Sequence, residues 1–269
     1  MKDFELKCQK LTNLIENYTK NDIVIAFSGG VDSSLLLKIA CESAKIHKKK
    51  VYAVTLYTTL HTVKELDFTV ENAQKMSAIH KIIEIDVLKE AGIENNPKDR
   101  CYLCKKYMFS KVMEYAKAVG ADVVIDGTNA DDLTVYRPGI KAIKELGILS
   151  PLADVGMTKS EVRDFAAQYN ITASEKPSTP CLATRFEYGA KLEYDKIRIV
   201  EQAEEYIRSL GFYNVRLRVH GSIARIEVDA RDMSLLLNEK EKIVRYVKNL
   251  GFKYITLDLE GFSSGSMDR

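Results

Sequence analysis

Up to about residue 170, stretches with apolar side chains at helical spacing alternate with short β-branched runs. Residues 4–18 read as an amphipathic helix. The run Ile23 to Phe27 is continuously apolar, as suits a strand covered on both faces. Helices are predicted over 33–46, 62–80, about 103–119 and 158–169, the last opened by Thr158 and Glu161 as a capping box. Strands are predicted at Val51 to Leu56, Lys81 to Asp86 and Asp122 to Asp126. This alternation predicts an α/β unit with a parallel sheet and right-handed crossovers. In such sheets ligands collect at the carboxyl ends of the strands, where the loops after residues 27 and 126 fall.

The pattern changes after Ser174 to Arg185, a stretch with two prolines and no clean period that reads as an ordered loop or linker. Beyond it come a helix over 193–210 ended by Gly211 and two alternating strands, Val215 to Val219 and Ala224 to Val228. A helix over about 231–250 and a strand from Tyr254 to Leu259 follow. The expected domains are therefore an α/β domain over 1–185 and a smaller α+β domain over 186–269.

A chain of 269 residues is long enough for two such cores, and 46% hydrophobic with 29% charged residues is ordinary for a globular protein. The net charge is +2, and residues 186–269 hold 14 basic and 14 acidic side chains, so charge gives no case for nucleic acid. No apolar run approaches the ~20 residues of a membrane span. Met1 to Cys8 carries interspersed charges and no signal-peptide core, so the expected location is the cytoplasm. Five cysteines in this length do not suggest a disulfide scaffold, and Cys8 and Cys41 fall in helical patterns as packing residues.

The candidate chemistry begins at Ser28-Gly29-Gly30-Val31-Asp32-Ser33-Ser34, where a strand gives way to a helix. The two glycines let backbone N–H groups close around a phosphate, and the new helix adds its positive end. No Gly-Lys-Ser/Thr ending follows, so this is not a Walker A loop. The string resembles the PP-loop of ATP pyrophosphatases, which adenylate a substrate and release pyrophosphate. Asp32 either shapes the loop or helps to place a metal. After the fourth strand, Gly127, Thr128 and Asn129 are candidates to bond nucleotide or substrate. Asp131 and Asp132 are candidates to hold Mg²⁺ on ATP, since that ion takes hard oxygen ligands.

Cys101 and Cys104 form a C-x-x-C at a helix start beside Arg100, Lys105 and Lys106, surroundings that favour thiolate. Cys181 lies between a proline turn and Arg185. The three would supply thiolates to a 4Fe–4S cluster whose fourth iron stays open for sulfide. A redox dithiol is an alternative, whereas zinc lacks a fourth ligand nearby in sequence. Strand alternation puts Arg216 and Arg218 on one face, where they would clamp a phosphate or carboxylate; Arg225 sits on the next strand.

Taken together, SGGVDSS (28–34), RCYLCK (100–105), DGTNADD (126–132), YRPG (136–139), PSTPCLATR (177–185), VRLRVHG (215–221), ARIEV (224–228) and SGSMD (264–268) resemble the LarE family. These are ATP-dependent sulfur transferases of nickel-pincer nucleotide cofactor synthesis. The resemblance implies the Rossmann-like fold of the adenine nucleotide alpha hydrolases. It also implies adenylation of a carboxylate of pyridinium-3,5-biscarboxylic acid mononucleotide, then displacement of AMP by sulfur. Two routes supply that sulfur. In one, the cysteine at position 181 gives up its own and becomes dehydroalanine. In the other, three cysteines hold a cluster that carries sulfide, and the presence of Cys101, Cys104 and Cys181 favours this one. Asp32 and Cys181 are then the candidate catalytic residues, and Arg185, Arg216, Arg218 and Arg225 the substrate-binding ones. Expected partners are the small nucleotide substrate, sulfide or another sulfur donor, and further copies of the chain, with hexamers common in the family. A PP-loop tRNA thiolase would need a polyanion surface that the neutral C-terminal region lacks. A glutamine-dependent synthetase of GMP or NAD would not call for the cysteines, and the intact loops argue against a pure binding module.

Overall fold

The structure, a computed structural model, describes residues 2–60, 63–135, 137–171, 181–263 and 266–267. Tyr136, residues 174–180 and parts of the terminal SGSMD string lie outside the described residues. The chain divides into two compact units. The first is Met1–Gly92 with Asp99–Thr179, the second Ile93–Lys98 with Pro180–Arg269.

The first unit runs α1 (Lys2–Tyr18), β1 (Ile23–Ala26), α2 (Val31–His47), β2 (Val51–Tyr57), α3 (Val63–Lys75), β3 (Ile79–Glu84) and α4 (Val87–Glu90). It continues with α5 (Arg100–Val119), β4 (Val123–Ile125), α6 (Ala130–Thr134), α7 (Pro138–Glu145), α8 (Pro151–Asp154) and α9 (Lys159–Gln168). All pairings in its sheet are parallel, in the order β3-β2-β1-β4. Successive side chains along a strand face opposite ways, and both directions are apolar here. Ile23, Ile25, Ala53 and Ile125 join Leu35 and Ile39 of α2 and Val162 and Phe165 of α9 in one core. Val24, Tyr52, Val54 and Val124 face Phe109, Val112 and Ala116 of α5 and Ile143 of α7 in the other. That double burial is why the strands read as continuous apolar runs.

The first unit departs from the sequence expectation at α3 and α7. The helix expected to reach residue 80 stops at Lys75, because Ser77 turns left-handed at φ 61° and Ile79 and His80 join the ladder beside Tyr52 and Ala53. Helix α7 was not foreseen; Pro138 at its first position supplies a preset φ without losing a needed donor.

The second unit runs α10 (Tyr194–Ser209), β5 (Val215–His220), β6 (Ile223–Val228), α11 (Met233–Asn238), α12 (Lys240–Asn249) and β7 (Tyr254–Leu257). Its sheet has the order β5-β6-β7, antiparallel then parallel. The helix expected over 231–250 breaks at Glu239 into α11 and α12. Residues 93–98 are stitched into this unit by Asn96, which is fully buried. Its side-chain NH₂ donates to the carbonyls of Phe186 (3.1 Å) and Glu187 (2.7 Å). Among the described residues, no helix is long and apolar enough to cross a membrane.

Candidate active site

The chain lays down β1, β2 and β3 in one direction and then returns to place β4 on the other side of β1. The loops leaving β1 and β4 therefore diverge at a topological switch point, where a crevice opens in sheets of this kind. A cleft of about 450 Å³ lies there, lined by Ser28, Gly30 and Asp32 from one loop and Asp126, Gly127 and Thr128 from the other.

The first loop is tied together by its own hydroxyls. Ser33 Oγ donates to the Gly30 carbonyl (3.1 Å) and accepts the Ser28 N–H (3.3 Å). Gly29 sits at φ +70°, a conformation that a side chain resists. Gly30 is the N-cap of α2 and offers no side chain to its first turn, so those N–H groups stay available to an anion.

In the second loop the Asn129 side chain and Asp132 form a capping box on α6. Asn129 Nδ2 also donates to Asp32 Oδ1 (3.1 Å), which fixes one loop on the other. Gly127 is required by closeness: a Cβ there would stand 3.1 Å from Asp32 Cβ and 3.1 Å from Ser33 N. Asp126 is buried, with both oxygens satisfied by hydroxyls, Thr128 Oγ1 and Ser150 Oγ, each at 2.6 Å. The two candidate metal ligands differ in setting. Asp132 lines the cleft, bonded to Arg137 at 2.7 Å; Asp131 is exposed and accepts the Lys159 backbone N–H at 2.8 Å.

The same cleft holds Arg137, from the YRPG string, and two cations that the sequence reading did not single out, Lys159 and Arg163. Lys159 begins α9, one residue past the Thr158 cap, and its ammonium pairs with Asp32. The capping box at Thr158 and Glu161 was the one sequence sign that a rigid helix starts there. Lys105, Met108 and Phe109 of α5 also line the cleft, so the helix that opens with the C-x-x-C forms part of its wall.

None of the five cysteines is in a disulfide. Burial first, then the Glu161 charge, pushes Cys8 up to about 11, and burial pushes Cys41 up to about 11, as suits inert packing residues. Cys101 is exposed and Cys104 half-buried, one turn apart on α5, with Cys104 Sγ 3.3 Å from Met108 Sδ. Cys181, in the second unit, caps a short 3₁₀ turn over Leu182–Arg185, and its carbonyl accepts from Thr184 Oγ1 (2.8 Å) and Arg185 Nη1 (3.1 Å). Among the described residues, no three His, Cys, Asp or Glu side chains are grouped as a metal site.

The second unit carries a different polar construction. The ladder of β5 and β6 puts Val215, Leu217, Ile226 and Val228 on one face and Arg216, Arg218, Arg225 and Glu227 on the other. Arg218 forks onto Glu227 (3.0 and 2.8 Å), and Arg225 Nη2 adds a bond to the same carboxylate at 3.2 Å. Arg185, fully buried, forks onto Glu204 of α10 (2.8 and 2.9 Å), which also accepts from Arg208 and the Leu217 N–H. Burial pushes the Glu204 carboxyl up, but these donors outweigh it and hold it below its usual range. Thr184 links the two groups, accepting from Arg185 on its hydroxyl and from Arg218 on its carbonyl.

Arg216 stands apart from these pairs. Among the described residues it has no carboxylate partner. Among those residues its guanidinium bonds only the Val215 carbonyl (2.7 Å), and it lies 4.9 Å from the centre of the Phe262 ring. Burial, then the neighbouring Arg185 charge, pulls it down to about 10. Sequence reasoning marked the arginines and missed Glu204 and Glu227. Glu204 falls on the apolar stripe of Ile197, Val200 and Ile207, and that misfit was the available signal.

Comparison with known proteins agrees with this geometry. The family model described as the PP-loop domain matches residues 5–134. The chain is 37% identical over 246 residues to the pyridinium-3,5-bisthiocarboxylic acid mononucleotide synthase of Lactiplantibacillus plantarum, covering 91% of this chain and 88% of that one. It is 36% identical to an uncharacterised protein of Synechocystis over 97% of both chains. Against an uncharacterised protein of Methanocaldococcus jannaschii it is 35% identical, over 94% of this chain and 95% of that one.

Proposed function

The chain belongs to the PP-loop family of ATP pyrophosphatases and, within it, to the LarE family, and we propose that it is an ATP-dependent sulfur transferase acting on a pyridinium dicarboxylic acid mononucleotide. The observation that carries this reading is the meeting of the Ser28–Ser34 and Gly127–Asp132 loops on one cleft. Backbone N–H groups of the first loop and the start of α2 hold the phosphates of ATP. Asp32 and Asp132 face the phosphates and, with Asp131 behind them, supply the oxygens that Mg²⁺ prefers. A substrate carboxylate oxygen attacks the α-phosphorus, pyrophosphate leaves, and an acyl-adenylate forms. Sulfide then attacks the acyl carbon, AMP leaves, and the product is a thiocarboxylate. Thr128 and Asn129 orient the nucleotide or the substrate.

Cys101, Cys104 and Cys181 are the residues that would hold a 4Fe–4S cluster. Their chemistry fits: three soft thiols outside any disulfide, two of them one turn apart at the start of a helix beside Arg100 and Lys105. Such a cluster, when bound, supplies an iron with an open position for sulfide. In the second unit, Arg216 offers its charge to the substrate phosphate. Arg185, Arg218 and Arg225 frame that site through Glu204 and Glu227 and complete the anion-binding surface. The same family reading extends to a cytoplasmic homo-oligomer that needs neither nucleic acid nor membrane.

The test is iron and acid-labile sulfide content, with an absorption spectrum, on protein purified without air. About four iron per chain, lost in Cys101→Ala and in Cys181→Ala while ATP binding persists, is the expected result. No iron after reconstitution, with the mass of one sulfur lost from Cys181 after reaction, would replace the cluster route by a consumed cysteine. Failure to form pyrophosphate from ATP in any mixture would sink the enzyme reading itself.

A further inference from the structure

The segment that leads into the C-x-x-C is bonded to the segment that follows Cys181. Residues 93–98 precede the first pair of cysteines, residues 186–192 come after the third, and both segments belong to the second unit. Four hydrogen bonds join them. The Asn96 side-chain NH₂ donates to the Phe186 and Glu187 carbonyls, the Gly189 N–H donates to the Asn96 carbonyl (3.1 Å), and the Leu192 N–H to the Glu94 carbonyl (2.7 Å). Asn96 is fully buried and turned left-handed at φ 45°, a conformation that asparagine accepts more readily than most side chains. There is little slack between this staple and the cysteines. Only Pro97, Lys98 and Asp99 lead from Asn96 to the start of α5 at Arg100, and the proline fixes one φ on the way. On the other side, the Cys181 carbonyl accepts from the Thr184 N–H (3.0 Å) and from Arg185, which is locked on Glu204. The Thr184 carbonyl accepts from Arg218, and Phe186 is bridged to Val219 of β5.

We propose that Asn96 is a positioning residue for the three thiols: it ties the lead-in of Cys101 and Cys104 to the framework that fixes Cys181, so that the triad is set before iron binds. This deepens the proposed cluster reading and rests on it. Cys104 and Cys181 are far apart in the chain, and ligands on loose segments would have to be ordered by the cluster itself. With the staple in place, that ordering is met in folding and does not weaken binding. The two side-chain bonds are the part that a substitution can remove while the backbone path stays open. Loss of such an outer support typically costs a metal site about tenfold or more in affinity.

Two measurements on the full chain test this. Iron-free protein is treated with dibromobimane, a short reagent that bridges two thiols, and the linked peptides are mapped by mass spectrometry. Reconstituted protein is exposed to an iron chelator and the rate of iron release is followed. Asn96→Gly keeps the left-handed backbone and removes the amide, and Asn96→Asp keeps the shape and removes the donors. Wild-type protein is expected to link Cys181 to Cys101 or Cys104. Both variants are expected to lose that link and to release iron at least about tenfold faster, with ATP affinity unchanged. Ile226→Val, a loss of core volume in the same unit, is expected to lower the melting temperature and leave both readouts as in wild type. A link and an iron release unchanged in the Asn96 variants, the same losses in Ile226→Val, or ATP binding lost along with the iron would each overturn the proposal. So would wild-type protein that holds iron but forms no link. A link in wild type that the Asn96 variants lose, without iron in any of them after reconstitution, would support the positioning role and overturn the cluster reading alone.

Discussion

The two units build their polar sites from opposite materials. The cleft of the first uses glycines, backbone N–H groups and short hydroxyl bonds, with charge brought in by a few cleft-lining side chains. The Arg216 face of the second uses buried guanidinium groups locked to buried carboxylates, with one arginine left over. A site of the first kind leaves its donors open and takes its precision from backbone position. One of the second kind spends most of its charge on itself, and the guanidinium groups of Arg185, Arg208, Arg216, Arg218 and Arg225 around the carboxylates of Glu204, Glu227 and Asp258 leave an excess of positive charge. It follows that the first site breaks when the backbone is displaced, and the second when a carboxylate is removed.

The largest effect is therefore expected from Glu204→Ala. Arg185 would keep its burial and lose its fork, and removing one partner of a buried pair typically costs about 3–5 kcal/mol. Denaturant unfolding followed by far-ultraviolet circular dichroism reads the loss; a change under about 1 kcal/mol would mean that the pair is no stronger than a surface one. The pH dependence has a defined sign. Glu204 titrates lower in the folded than in the unfolded chain, so its contribution is complete above the ordinary value of 4.5 and disappears as the pH falls through the lowered one. Wild-type protein should lose stability in that acid window, and Glu204→Ala should lose correspondingly less there.

A smaller effect, on the other side of the comparison, is expected from Gly127→Ala. The new methyl would press on Asp32 Cβ and on the Ser33 backbone N at 3.1 Å, and neither is the end of a flexible side chain. Overpacking of this kind costs about 1–3 kcal/mol. Because it moves the start of α2, ATP affinity should fall about tenfold, an equivalent of about 1.4 kcal/mol. Melting temperature and nucleotide titration measured together decide the matter. A variant that melts lower but binds ATP normally would show that the loop tolerates displacement.

The same contrast explains what could be read from the chain. The strand-to-helix switch at Ser28–Ser34 is local, since Gly29, Gly30 and Ser33 act on neighbours within five residues, and the string alone revealed a phosphate loop. The parallel sheet was legible because both its faces are buried, which leaves uninterrupted apolar runs. What escaped depends on partners far along the chain. Lys159 meets Asp32 across 127 residues, Glu204 takes Arg185 from a different element, and Asn96 recruits residues 93–98 into the second unit through carbonyls 90 and 91 positions away. No periodicity encodes such meetings. A charged residue on an apolar stripe, as at Glu204, is the trace they leave.

Arg216 gives the finest test, because two consequences of one substitution should run in opposite directions. Its guanidinium is buried, is pulled down to about 10 and has no carboxylate among the described residues, so its charge opposes folding where that of Arg185 does not. Arg216→Met keeps the unbranched stem against Phe262 and removes the charge. The variant should be more stable than wild type by about 1 kcal/mol, at the low end of what replacing buried charge with apolar side chains yields. Its KM for the mononucleotide substrate should rise at least tenfold while pyrophosphate binding in the cleft stays as it was. An ordinary structural arginine would give the reverse, lower stability with an unchanged KM. Loss of both would mean that Arg216 is held by a partner as firmly as Arg185 is by Glu204, and the two units would then differ in material but not in purpose.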